Sequence, residues 1–135
     1  MHTTNYFNTF IEVAEDCPTS VAEIPKQKGD DKTVAHLHFD MMMANPYQYT
    51  SDDVIFNAYA TKNNISEDLQ TARELFFSKG QPCLRASPLT KRYGWGVHNN
   101  ADGKVAIFPV ESVEYQQFTQ DSHLKKTKGM RSKRA

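Results

Sequence analysis

From residue 93 the chain reads Tyr-Gly-Trp-Gly-Val-His-Asn, then Asn-Ala-Asp-Gly, then Lys-Val-Ala-Ile-Phe, and Pro109 follows. Turn-forming residues between two runs rich in aromatic and β-branched side chains predict a hairpin with strands over 93–99 and 104–108. A lone hairpin is marginal in water, so this one must pair with another strand or pack on helices. The segment 9–14, Thr-Phe-Ile-Glu-Val-Ala, offers such a strand, with Phe10, Ile11 and Val13 as candidates for burial.

Three helices are expected between the first strand and the hairpin. Over 33–44 two periods compete. Val34, Leu37, His38, Met41 and Met42 fall at helical spacing, whereas Ala35, Leu37, Phe39 and Met41 alternate as in a strand. Asp30 and Asp31 ahead of the run, its methionines and the stop at Asn45-Pro46 favour helix. Thr50-Ser51-Asp52-Asp53 predicts a capping box and a second helix over 52–61, with Val54, Ile55, Ala58 and Tyr59 inward. Asn64 or Ser66 is expected to cap a third helix, reaching Lys79, whose inner stripe is Leu69, Ala72, Leu75 and Phe76. A short helix over 111–119 follows the hairpin. The expected fold is α+β: a small antiparallel sheet, made of the N-terminal strand and the 93–108 hairpin, packed with three to four helices. With 135 residues the chain suits one domain over 1–124 and a basic tail over 125–135.

The tail follows from the charge pattern. Sixteen Lys and Arg balance sixteen Asp and Glu, yet Lys125, Lys126, Lys128, Arg131, Lys133 and Arg134 crowd into the last eleven residues with no acid among them. The preceding 124 residues are left with a net charge of minus six. An acidic body with a basic, aromatic-free end is expected to leave that end disordered-like, as an arm able to meet phosphates. Cys17 and Cys83 form no Cys-x-x-Cys pair, the start lacks the pattern of a signal peptide, and no apolar run is longer than the four residues of Met41 to Ala44. The expectation is a cytoplasmic protein with no membrane partner.

Chemistry is most concentrated over 85–98. Arg85, Lys91, Arg92 and His98 are cations or potential cations, Ser87 adds a hydroxyl, and two glycines flank the only tryptophan. Strand alternation puts Tyr93, Trp95 and Val97 on one face and Arg92, Gly94, Gly96 and His98 on the other. Arg92 and His98 would then line a glycine-floored groove, with Arg85, Ser87 and Lys91 arriving from the preceding loop, a composition suited to phosphate or carboxylate. Trp95 is expected in the core, and Arg92 and His98 are expected to matter to an anion but little to stability. His36, His38 and Asp40 would converge on a metal only from a strand; on a helix they diverge, so no metal site and no cofactor is expected. Acidic neighbours disfavour a reactive thiolate at Cys17, and no nucleophile elbow accompanies Ser87 and His98.

Asn8 to Ala14, Tyr49 to Val54, the Ser87 to His98 segment and Met130-Arg131-Ser132-Lys133-Arg134 together resemble a family of small bacterial proteins classed as a domain of unknown function. Lys91-Arg92-Tyr93-Gly94-Trp95-Gly96-x-His98 is the most specific part of that resemblance. It implies a bacterial, cytoplasmic, stand-alone protein, and it implies no activity, cofactor or catalytic residue. Two functional expectations remain. One is a binding module for nucleic acid or another polyanion, using Lys91, Arg92, Trp95 and the tail. The other is a small enzyme or sensor that holds a phosphorylated or carboxylated metabolite near Arg92 and His98, for which no reaction class follows. The order of three helices and a hairpin is similar to a winged helix, but the third helix carries a net charge of minus one, wrong for a surface that reads a nucleic acid.

Overall fold

The computed structural model describes residues 2–27, 29 and 32–132. It is an α+β fold. The elements run β1 (Thr9–Glu12), α1 (Val34–Ala44), α2 (Ser51–Lys62), α3 (Leu69–Phe76), a 3-10 turn (Leu84–Ala86), α4 (Pro88–Lys91), β2 (Trp95–Asn99), β3 (Val105–Pro109), α5 (Val113–Gln120) and β4 (Lys125–Lys128). The four strands lie in the order β3-β2-β1-β4. The hairpin and the N-terminal strand pair antiparallel as expected, in a register that sets Phe10 against His98 and Val97 against Ile107.

The sheet is nevertheless mixed. Lys125–Lys128 runs parallel to β1, so this part of the basic end is a strand and not a disordered-like tail. Its composition argues against self-ordering, but an edge strand needs no core of its own when an existing ladder supplies partners for its backbone. Beyond it, Gly129 N–H donates to the Glu12 carbonyl at 2.7 Å and Met130 N–H to the Arg85 carbonyl at 2.7 Å. Arg85 Nε in turn donates to the Lys128 carbonyl at 2.6 Å, occupying an acceptor on the outer edge. Lysines on an edge strand also discourage pairing with other chains. The six cations thus include three whose placement has a structural reason. Lys133 and Arg134, like Asp30 and Asp31, lie outside the described residues.

Alternation along the strands builds two layers. Ile11, Trp95, Val97, Val105 and Ile107 face one side, where Met42 of α1 and Val54 of α2 complete the core. On the other side Phe10 meets Tyr115 edge-on at 5.0 Å and stacks on Phe118 at 5.1 Å, both from α5. Gly96 belongs to this second face. A Cβ there would lie 2.6 Å from both Phe10 Cζ and Tyr115 Cε2, so the expected glycine-floored groove is filled by the protein's own rings. Gly94 has a different reason to be glycine: its φ of +81° is in the left-handed region, where the chain turns into β2.

Val34–Ala44 is helical as expected, capped by Thr33, whose side chain accepts from the His36 N–H. The capping box of Thr50 and Asp53 forms as expected. An unexpected clamp adds to it: Thr4 N–H and Thr3 Oγ1 each donate to the Asp52 carboxylate at 2.7 Å, fixing the N-terminal segment on the start of α2. α2 buries Val54 and Ala58 together with Phe56 and Ala60, and Tyr59 is exposed contrary to the expected inward set. That helix is wedged between the main core and a smaller cluster with Phe77. α3 departs further. It is shorter, begins after Asp68, and leaves Leu69 and Leu75 exposed. Phe77 is the buried anchor, and Arg73 Nη1 donates to Asp53 Oδ1 at 2.8 Å, so α3 hangs on α2 instead of packing on the sheet. Among the described residues no helix is long and apolar enough to cross a membrane.

Candidate functional site

The segment expected to form an anion site is dispersed by the fold. Arg85 is engaged with β4. Lys91 ends α4 and Arg92 is its exposed C-cap. His98 sits on the α5 face, stacked on Phe118 at 4.3 Å, with Nδ1 2.8 Å from the Tyr47 hydroxyl. Burial lowers its pKa, partly countered by the charge of Asp121. Its contacts make it a packing residue as well as a titratable one, against the expectation that it is dispensable for stability. Ser87 lies across the sheet from it, buried among α1 and α4. Arg85 does meet the tail, because Met130 bonds to it, and Gly129 packs against Thr90, the neighbour of Lys91 in the chain.

Ser87 belongs instead to a cavity of about 280 Å³ between α1, α2, α3 and the 81–88 segment. Ile55, Ala58, Phe76 and Pro82 make its walls largely apolar, and His38, Cys83 and Ser87 are polar groups among them. Ser-Pro at 87–88 starts α4: Ser87 Oγ accepts the Leu89 N–H at 3.2 Å, and proline occupies the first helical position. That cap places Oγ 3.1 Å from His38 Nδ1. The serine oxygen already accepts Leu89, and among the described residues its proton has no acceptor other than Nδ1. The network therefore assigns Ser87 as the donor and puts the imidazole proton on Nε2. Buried side-chain atoms without a partner include His36 Nδ1 and Asn99 Oδ1; His38 Nε2 is not one of them and makes no hydrogen bond, so it opens on the cavity. Burial drives the pKa of His38 down to about 4, which keeps the ring neutral near pH 7.

The arrangement supplies a neutral N–H donor at the end of an apolar pocket. It does not supply an activated nucleophile. Ser87 is committed to its cap, and a histidine titrating near 4 is a weak base with no carboxylate on its far nitrogen. Helical geometry also separates the histidines: His36 Nε2 turns to Asp40 Oδ1 at 3.5 Å, away from His38. Sequence reasoning misses the His38–Ser87 pair because 49 positions separate them and no motif spans both. The readable signals are Ser-Pro as a helix start and a histidine on the apolar stripe of α1.

Fold and cavity define a small α+β protein with an open, mostly apolar pocket that contains one neutral histidine. The chain belongs to the family of unknown function DUF6157, whose model matches residues 1–135. The match extends the resemblance seen in the sequence to the N-terminal residues that clamp α2. No curated protein and no solved structure matches the chain.

Proposed function

We propose that the protein binds a small, mostly apolar molecule carrying a hydrogen-bond acceptor such as a carbonyl or carboxylate oxygen. The observation that carries this reading is the neutral His38, held by Ser87 with its Nε2 proton presented to an apolar cavity. A donor that opens on an apolar cavity and has no protein partner is free to meet an acceptor on a ligand. Apolar walls would supply most of the affinity and His38 the orientation. In an NMR titration with small ketones and short-chain acids, shifts are expected to cluster at Ile55, Ala58, Ala86 and Ser87. His38→Phe should weaken binding by about 1 kcal/mol, the net worth of one hydrogen bond. Shifts scattered over the surface, or none at millimolar ligand, would remove this reading.

A second reading keeps the polyanion. It is supported by the bonds that join Arg85 to Lys128 and Met130, next to Arg131, and opposed by the acids beside them, since Lys128 pairs with Glu15 at 3.3 Å and Ser132 N–H donates to Asp16. Filter binding of random oligonucleotides by the full chain decides it. Retention at about 50 mM salt that collapses by about 200 mM supports an electrostatic interface. No retention at the lower salt eliminates it.

A further inference from the structure

We infer that the outer face of α3 is a self-association surface, on which a second copy of this chain docks its own α3 antiparallel about a two-fold axis at Ala72. α3 is strongly amphipathic, yet none of its eight residues is buried. Phe76 turns to Tyr59 and Phe56 of α2, with ring centroids 4.4 and 5.8 Å away. Leu69 and Leu75, at helical spacing along the same stripe, stay 47% and 72% exposed. A groove of about 460 Å³ runs beside them, walled mainly by Tyr59, Ile65, Ala72, Leu75 and Phe76, with Lys79 also on its lining. An apolar surface of this kind gains free energy when a partner displaces its water. It lies apart from His38 and Ser87, so the inference does not depend on a ligand in their cavity.

Charge selects the occupant. Glu67 and Asp68 stand at the N-terminal end of α3 and Lys79 just beyond its C-terminal end. Among the described residues none of these three side chains has a hydrogen-bond or ion-pair partner, whereas Arg73 is committed to Asp53. The face thus has an acidic end, an apolar middle and a basic end, and it complements itself when two copies run antiparallel. Leu69 comes three positions before Ala72 and Leu75 three after it. A two-fold axis at Ala72 therefore sets Leu69 of one copy against Leu75 of the other and brings each Lys79 to the opposite acidic end. Parallel pairing would set like charges together. An eight-residue helix is about 12 Å long, too short to cover the roughly 800 Å² a side of a standard interface. The dimer is accordingly weak and forms only at micromolar concentrations or above.

Sedimentation velocity of the full-length protein over a dilution series from millimolar to micromolar tests this. The expected result is a dimer that dissociates on dilution. Leu75→Glu should leave a folded monomer at every concentration, since the substituted side chain already faces solvent; an unchanged circular dichroism spectrum and melting curve verify the fold. Lys79→Glu, and separately Glu67→Lys with Asp68→Lys, should each weaken the dimer at least several-fold by setting like charges together twice per dimer. Mixing these two variants should restore it, because each then meets an opposite charge at both ends. A parent that stays monomeric at millimolar concentration overturns the inference and leaves the face to a different partner or to none. A dimer that survives Leu75→Glu overturns it as well, since the contact then lies elsewhere. Loss of the dimer in Leu75→Glu without mutual rescue by the charge variants overturns the antiparallel arrangement about Ala72.

Discussion

Trp95→Ala is expected to destabilise the protein by about 3–5 kcal/mol, lowering its melting temperature by roughly 10–20 °C. The indole is only 6% exposed and packs edge-on against Phe39 of α1, centroids 5.3 Å apart. Its Nε1–H donates to the Glu23 carbonyl at 2.8 Å, fastening the loop before α1 to the sheet. Truncation would open a large cavity between β2 and α1 and orphan that carbonyl. Thermal and urea unfolding of the variant measure the loss, with Arg92→Ala as the control. Arg92 is an exposed C-cap, so its removal should stay within about 0.5 kcal/mol. A Trp95→Ala protein that melts like the parent would contradict the core position of the indole.

His38 should make the fold sensitive to mild acid. Its ordinary value is 6.5 and burial lowers it to about 4 in the folded chain. Between these values the unfolded state binds the proton and the folded state does not. The contribution of neutral His38 is therefore complete above 6.5 and is lost as the pH falls towards about 4. That difference in proton affinity between the folded and unfolded chain corresponds to about 3 kcal/mol. His98, also lowered by burial, acts in the same direction, so the comparison must be with a variant and not with an absolute value. Urea unfolding of the parent and of His38→Gln, at neutral pH and near pH 4, isolates the effect. The glutamine can still accept from Ser87 and carries no titrating group, so its variant should lose about 3 kcal/mol less over that interval. Equal losses in the two proteins would mean that His38 is not held neutral by burial.

The acid sensitivity bears on function as well as stability. Protonation would place a charge at the end of an apolar cavity, replacing a neutral donor by a group that demands water or an anion. Any ligand bound through Nε2–H would thus experience a different pocket below the pKa of His38.

Local patterns make much of the architecture legible. Asn100 to Gly103 mark the hairpin, Thr50 and Asp53 mark the start of α2, and alternation puts Trp95 and Val97 on one face with Gly96 and His98 on the other, as the structure has them. Each of these depends on residues a few positions apart, where turn chemistry, capping and the period of the backbone decide the outcome. The burial of α3 is misread from sequence for the opposite reason. Leu69, Ala72, Leu75 and Phe76 make a valid helical stripe, but a stripe says only that a face is apolar, and the neighbour it meets is set by the rest of the fold. Here Phe77 takes the buried place and Leu75 remains exposed.

Composition alone makes Lys125 to Arg131 a charged arm, because nothing in those residues can drive burial. Their order comes from outside the segment: β1 supplies the backbone partners for β4, and Arg85 holds the Lys128 carbonyl. The candidate site divides in the same way. Residue order is enough to specify an α+β protein with a hairpin, capped helices, a buried tryptophan and chemistry-bearing residues around Ser87. Which of those residues meet is settled by the packing of distant segments. Pairing of β1 with β2 sends His98 to the aromatic layer under α5, while the Ser87 cap turns its hydroxyl to His38, 49 positions away. Such contacts depend on how whole layers pack, and that information is not carried by any local spacing of residues.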